Sequence, residues 1–305
     1  MRILVVGAGA VGGYFGGRLL EKGEDVTFLV RENRQKQLQE RGLQIESIHG
    51  NVTLMPKTIK SGEEAGPFDV IILSTKQYHL EGALHSIEPY VSEDTMILPL
   101  LNGYSHVDVL RSKFNPENVI GGLCFIESTL NDEGKIVQTS PNHRLLFGEF
   151  SGERTERIST LADTMSGTKT NIQLSDNIIR EMWHKYMFIT GFSGVTTLMR
   201  SPIGPIREEQ NGQKLILSLF KEIGSVMRML GAPIDEDIEE KHVKTTNQMT
   251  FEMKSSMQRD MEKGLDIEAD QLQGYLYIIA QEKGIETPFL EVIYSNLKVY
   301  QALRR

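Results

Sequence analysis

Cysteine is almost absent from this chain. Cys124 stands alone, so no intrachain disulfide can form, and the composition fits a reducing compartment. Cys124 sits in the apolar run Val119–Ile126 and reads as buried strand rather than as a nucleophile. Positive charge is also scarce, with 33 Lys and Arg against 41 Asp and Glu and a net charge of -8. That balance offers no general surface for nucleic acid or anionic lipid, but leaves room for a local positive site facing a phosphorylated ligand. No apolar stretch approaches the ~20 residues that a membrane-spanning helix needs. The opening Met1-Arg2-Ile3-Leu4-Val5-Val6 superficially resembles a secretion signal, yet its apolar run stops at Gly7, too soon for one. The seven histidines show no ligand spacing, so no metal site is expected. These absences describe a soluble, cytoplasmic protein with neither a nucleic-acid nor a membrane partner.

The 305 residues contain 39% hydrophobic and 24% charged side chains, enough for one large domain or two of ordinary size. Residues 2–6 form a β-branched run without polar residues after Arg2, as expected of a strand buried on both faces. A glycine-rich turn leads into a helix over 10–22, and Asp25–Val30 reads as the next strand. Leu43–Met55 alternates and breaks at His49-Gly50-Asn51, the pattern of a hairpin. Phe68–Leu73 and Thr95–Leu100 are further buried strands around a helix at about 79–89. The alternation predicts an α/β fold, a parallel sheet with helices on both faces. Residues 118–150 hold more strand-like pieces split by the turn at 131–134, and a helix at about 154–165 and a short segment at 170–174 follow. From Asp176 onward the pattern is helical, broken near Ser201–Pro205, Gly231–Pro233, Gly264–Asp266 and Gly284–Pro288. The expected division is therefore a Rossmann-type nucleotide domain over 1–176 and an all-helical substrate and catalytic domain over 177–305.

Gly7-Ala8-Gly9-Ala10-Val11-Gly12 is G-x-G-x-x-G, placed after a strand and opening a helix. In such a turn the first glycine permits the tight bend. The second lets backbone approach a pyrophosphate, and the third lets helix and strand pack closely. The unpaired N–H groups of the helix start then face the phosphates. At the end of the second strand an acidic residue suits the ribose hydroxyls of NAD, whereas an arginine suits a 2′-phosphate. Here the order is Val30-Arg31-Glu32-Asn33-Arg34. Arg31, with a contribution from Arg34, points to NADP(H). Glu32 argues for NAD if the strand ends one residue later.

Further pieces fall in a telling order. Ser74-Thr75-Lys76 and Leu101-Asn102-Gly103 close the fourth and fifth strands, at the sheet end where open α/β folds bind ligands. Trp183-His184-Lys185 opens the helical half, and Ser255-Ser256-Met257, Asp260, Gly264 and Glu268 lie near its end. Together with the glycine turn, this order and spacing resembles the ketopantoate reductase family over nearly the whole chain. The resemblance implies NADPH-dependent reduction of 2-dehydropantoate (ketopantoate) to pantoate on the way to pantothenate. It implies Lys185 as the general acid that protonates the carbonyl oxygen, and Glu268 as the carboxylate near substrate and nicotinamide. Asn102 would touch cofactor and substrate, Ser256 the substrate, and Lys76 the cleft near both. Arg31 falls at the family's 2′-phosphate arginine. Asp266 would cap a helix that Glu268 begins, placing the carboxylate in a first turn.

The chain departs from the family where substrate is held. Asparagines four and eight residues after the catalytic lysine are replaced by Ile189 and Ser193, the second still able to offer a hydroxyl to substrate. The Gly-Arg-x-Thr-Glu segment appears as Gly264-Leu265-Asp266-Ile267-Glu268, and an asparagine sometimes found before the second-domain glycine is Ile203. The alternatives are a related two-domain reductase for another keto or hydroxy acid, including opine-type substrates, and a non-catalytic NADP(H)-binding paralogue. The helical half has apolar faces enough for a homodimer, although the same faces could form its own core.

Overall fold

The structure, a computed structural model, describes residues 1–304. The chain forms two compact units, residues 1–101 with 106–178, and residues 102–105 with 179–305.

The first unit begins with β1 (Arg2–Val6), α1 (Ala10–Lys22), β2 (Asp25–Leu29) and α2 (Glu32–Arg41). A hairpin of β3 (Leu43–Ser47) and β4 (Val52–Leu54) follows, then β5 (Lys57–Ile59) and β6 (Val70–Leu73). After α3 (Leu80–Ile87) come β7 (Met96–Pro99), α4 (Ser105–Lys113), β8 (Gly121–Leu130) and β9 (Ile136–Gly148). The unit closes with α5 (Glu156–Met165) and β10 (Asn171–Leu174). One sheet is wholly parallel in the order β5-β2-β1-β6-β7. The period-two geometry of β1 divides its side chains between two cores, Ile3 and Val5 on one face and Leu4 and Val6 on the other. Burial on both faces explains the unbroken apolar run in the sequence. The chain leaves β2 outward on one side and returns to β6 on the other, so the strand order reverses between β1 and β6, where such sheets open a ligand crevice.

The Rossmann-type alternation is present, but one face of the parallel sheet is covered differently from the sequence expectation. A second sheet, β10-β9-β3-β4 with β8 paired to β9, lies across α1. Side chains can approach so closely because α1 presents glycines: a Cβ at Gly13 would lie 2.4 Å from Ile136 Cδ1, and one at Gly17 2.6 Å from Ile45 Cδ1. Cys124 is buried in β8.

The second unit is helical: α6 (Ile178–Met199), α7 (Ile203–Glu208), α8 (Gln210–Met229), α9 (Ile238–Gln248) and α10 (Ser256–Glu262). A π turn (Asp270–Gly274), α11 (Tyr275–Lys283) and α12 (Pro288–Ala302) complete it. Ile216, Leu219, Phe220 and Ile223 of α8 recur at helical spacing and meet Leu290, Ile293 and Leu297 of α12 in one core. Apolar faces of this half thus fill its own interior. Glu222 accepts the Phe289 and Leu290 amides at 3.1 and 2.9 Å, satisfying orphan donors at the start of α12. Asp266 does not cap the helix after it. It turns to Arg304 at 3.4 Å, and the Glu268 carbonyl accepts the Leu272 amide at 3.0 Å instead. Glu268 precedes the first helical turn rather than lying in it, because residues 265–268 hold no regular secondary structure and the chain winds next as a π turn. Among the described residues no helix is long and apolar enough to cross a membrane.

Candidate active site

In the first unit the glycine turn joins β1 to α1. Gly7 has a φ of 94°, a conformation that side-chain-bearing residues rarely adopt, and its amide donates to Leu29 O at 3.2 Å. A Cβ at Gly12 would lie 2.0 Å from Ser74 Oγ and 2.3 Å from Gly7 O, so only glycine lets α1 start this close to β6. Ser74 Oγ holds the contact by donating to Val6 O at 3.0 Å. At Gly9, the N-cap of α1, no atom lies within 4 Å of the Cβ position, and no side chain caps the helix. Ala8, Gly9, Ala10 and Val11 therefore present uncapped amides beside open space, the geometry that accepts a pyrophosphate.

Arg31 stands two residues past the end of β2 as the N-cap of α2, with an exposed side chain. Glu32 belongs to α2 and pairs with Lys36 at 2.9 Å. Arg34 is committed elsewhere: it donates to Ala8 O at 3.1 Å and to Gly134 O at 2.8 Å, and burial lowers its pKa. Ser128 Oγ adds a bond to Ala10 O at 3.1 Å. Arg34 thus braces the phosphate turn, a role no local signal marks because Gly134 lies on the turn between β8 and β9. Lys76 is half-buried just past β6, at the N-cap of the short turn Gln77–His79.

The second unit gathers three predicted residues. Asn102, just after β7, accepts from Lys185 Nζ at 3.2 Å, and its amide nitrogen lies 3.4 Å from Glu268 Oε2. The carbonyl face of the amide meets the ammonium and the N–H face meets the carboxylate, each in its proper role. Lys185 on α6 and Glu268 are buried, at 8% and 6% exposure. A buried ammonium linked through an amide to a carboxylate can protonate a developing alkoxide. Trp183 stacks on Tyr104 at 4.1 Å, fixing the segment that carries Asn102 to α6.

Of the two serines opening α10, Ser255 is buried and accepts the Gln258 amide at 3.1 Å as N-cap, while Ser256 is exposed. Ser193 is 4% exposed; its hydroxyl donates to Ile189 O and accepts from Gln273 Nε2 at 3.1 Å. Gln273, Tyr186 and Thr196 were not foreseen. They have no catalytic residue type or motif, and their partners are distant in sequence. Tyr186 is fully enclosed, donates to Leu272 O at 2.8 Å, and burial pushes its phenol well up.

A nucleotide turn and a Lys–Asn–Glu chain on a helical unit define a pyridine-nucleotide oxidoreductase. Residues 3–152 match the model of the ketopantoate reductase PanE/ApbA family, and residues 177–301 match that of its C-terminal domain. The chain belongs to this family of NAD(P)-dependent oxidoreductases. It is 46% identical over 302 residues to an uncharacterized oxidoreductase, YkpB, of Bacillus subtilis, covering 99% of each chain. A 2-dehydropantoate 2-reductase of Pyrococcus horikoshii is 27% identical, over 99% of this chain and 98% of that one. The crystal structure of 2-dehydropantoate 2-reductase from Geobacter metallireducens superposes with a TM-score of 0.88 at 29% identity, covering 98% of this chain and 99% of that one.

Proposed function

We propose that the protein reduces a 2-keto acid to its 2-hydroxy acid with NADPH, in the cytoplasm. In this reading residues 1–176 bind the cofactor and 177–305 carry the proton donor and substrate contacts. The observation that carries it is the chain from Lys185 through Asn102 to Glu268. The uncapped turn at residues 7–12 and the open space at Gly9 suit a dinucleotide pyrophosphate, and the exposed Arg31 suits a 2′-phosphate. When bound, the reduced dinucleotide supplies a hydride to the carbonyl carbon. Lys185 gives its proton to the carbonyl oxygen, Asn102 orients the ammonium, and Glu268 holds the amide and opposes the positive charge. Ser256 is a substrate contact, and Lys76 serves the cofactor side.

The family's own substrate makes 2-dehydropantoate, giving pantoate, the first acid to assay. Ile189 and the saturated Ser193 favour a second reading, a 2-keto acid of another kind. The test is NADPH oxidation with 2-dehydropantoate and a panel of 2-keto acids, for wild type and Lys185→Ala. Turnover with at least one acid is expected, with a loss of about a hundredfold or more in kcat for the variant and an NADPH Kd within about threefold of wild type. Tight NADPH binding with no turnover on any acid leaves only a nucleotide-binding protein. Surviving activity in Lys185→Ala removes the proton donor.

A further inference from the structure

α6 closes on a residue whose backbone conformation suits glycine. Arg200 has a φ of 50°, and among the described residues no other residue with a side chain has a positive φ. Its amide donates to Thr197 O and that of Ser201 to Thr196 O, each at 3.3 Å, the paired bonds that end a helix through a left-handed residue. α1 and α11 end in the same left-handed conformation on glycines, Gly23 and Gly284. An arginine here is held against its conformational cost, and strained positions of this kind cluster at ligand sites. The Arg200 guanidinium is exposed and has no ion-pair or hydrogen-bond partner among the described residues.

Arg200 lines a cavity of about 260 Å³ together with Gln258, Met261 and Glu262 of α10 and Tyr300 of α12. The three α10 residues fall at i, i+3 and i+4 and so share one face, whereas Ser256, two residues before Gln258, projects from the other. The cavity is therefore separate from the contact assigned to Ser256. Gln258 is 1% exposed; its Nε2 donates to Glu262 Oε1 at 3.0 Å, and its Oε1, on the other side of the amide, has no partner. A buried acceptor left unmet calls for a donor. Glu262 is not free to take a further cation, since Lys254 Nζ donates to both its oxygens at 2.8 and 3.0 Å. Tyr300 donates to Leu265 O at 2.8 Å and accepts Arg304 Nη1 at 3.1 Å, which leaves its ring and the Met261 side chain as apolar lining. The walls thus offer one unpaired cation, one unpaired acceptor and an apolar surface.

We infer that this cavity is a second ligand site, taking a small monocarboxylate that bears a hydroxyl group on an aliphatic body. The carboxylate pairs with Arg200, the hydroxyl donates to Gln258 Oε1, and the aliphatic part packs on Met261 and Tyr300. An amino acid fits less well, because Lys254 already neutralises the carboxylate that its ammonium would need. The probes are acids of one skeleton: 2-hydroxy-3-methylbutanoate, 3-methylbutanoate, 2-oxo-3-methylbutanoate and valine. Calorimetric titration of the full chain without cofactor should give the hydroxy acid a Kd about fivefold or more below that of each other acid, the scale of one buried acceptor gaining its donor. Arg200→Gly keeps the left-handed backbone while removing the cation, so it should fold at least as stably as wild type and raise that Kd about tenfold or more. Gln258→Leu should erase the preference for hydroxyl over hydrogen, and Lys185→Ala should leave the Kd within about twofold. No binding of the hydroxy acid, one affinity for all the acids, or tighter binding of valine overturns the inference. So does unchanged affinity in Arg200→Gly, a preference that survives Gln258→Leu, or a loss in Lys185→Ala, which would move the bound acid to the Lys185 chain. Should either cavity variant not fold, the wild-type series and the other variant decide. The titration needs neither cofactor nor turnover, so its failure is distinct from that of the keto-acid assay.

Discussion

Arg31 and Arg34 sit one helical turn apart, yet only one has a guanidinium turned to solvent. Arg34 spends its donors on Ala8 O, Gly134 O and Gln37, and so belongs to the frame of the phosphate turn. Arg31 is exposed at the strand end, and Glu32, its competitor for the ribose, is tied to Lys36 on the helix. Charge-assisted hydrogen bonds contribute about 1.5–3 kcal/mol, or roughly ten- to a hundredfold in binding. Arg31→Ala should therefore raise the Kd for NADPH by about tenfold or more and leave that for NADH within about twofold, as titration of nucleotide fluorescence can show. An equal loss for both nucleotides would place the 2′-phosphate elsewhere. The position of Arg31 just past the second strand was legible because the glycine turn fixes where that strand must end. The bracing role of Arg34 was not, since the carbonyl it holds is 100 residues away in sequence. Lys185, Asn102 and Glu268 were visible only through resemblance to a family, because a single lysine on a helix has no pattern of its own.

At the level of elements, what the sequence shows well is anything with a short period. The buried strands β1, β6 and β7, the hairpin β3–β4 and the long helices follow from alternation, apolar runs and glycine breaks. Pairings across long separations do not: β3 joins β9 through Ile45 and Ile136, and nothing local in either strand announces it. The π turn at Asp270–Gly274 is hidden for a related reason, since it inserts an irregularity whose carbonyls are satisfied from another helix. Tyr186 on α6 donates to Leu272 O at 2.8 Å and lies 3.2 Å from Gln271 O, one residue along from Lys185. It pins the turn that follows Glu268 to the helix carrying Lys185. In Tyr186→Phe that carbonyl stays buried without its donor, at a cost of about 1–3 kcal/mol. We expect a lower midpoint of chemical unfolding together with a fall in kcat larger than any change in KM. A variant as stable and active as wild type would show that the π turn needs no such tie. A stability loss with unchanged kcat would confine Tyr186 to folding.

Across the whole molecule, each unit carries its own core, and in the second one an ionisable group lies where three helices converge. His242 of α9 packs against Phe188 of α6 and Phe220 of α8, both at ring-centroid distances of 5.4 Å, with His184 at 6.5 Å. Burial, and then the neighbouring His184, bring its pKa down from 6.5 to about 4, against the opposing pulls of a hydrogen bond with the His184 backbone and of Glu239. The folded protein thus keeps the ring neutral at a pH where the unfolded chain has already taken up a proton. Between these two pKa values the unfolded state binds more protons, so stability from this group is complete above about pH 6.5. It drains away as pH falls toward 4 and levels off below that. Between pH 7 and pH 5 the loss amounts to about 2 kcal/mol. His242→Phe keeps an aromatic ring in the cluster and removes the proton site. Unfolding by urea at the two pH values should therefore show wild type losing about 2 kcal/mol more than the variant. Equal losses in the two proteins would mean that His242 is solvated in solution and that the three-helix junction is looser than its packing indicates. The larger loss in wild type would instead mark this junction, which His184 and Phe188 join to the helix of Lys185, as the point where acid opens the helical unit.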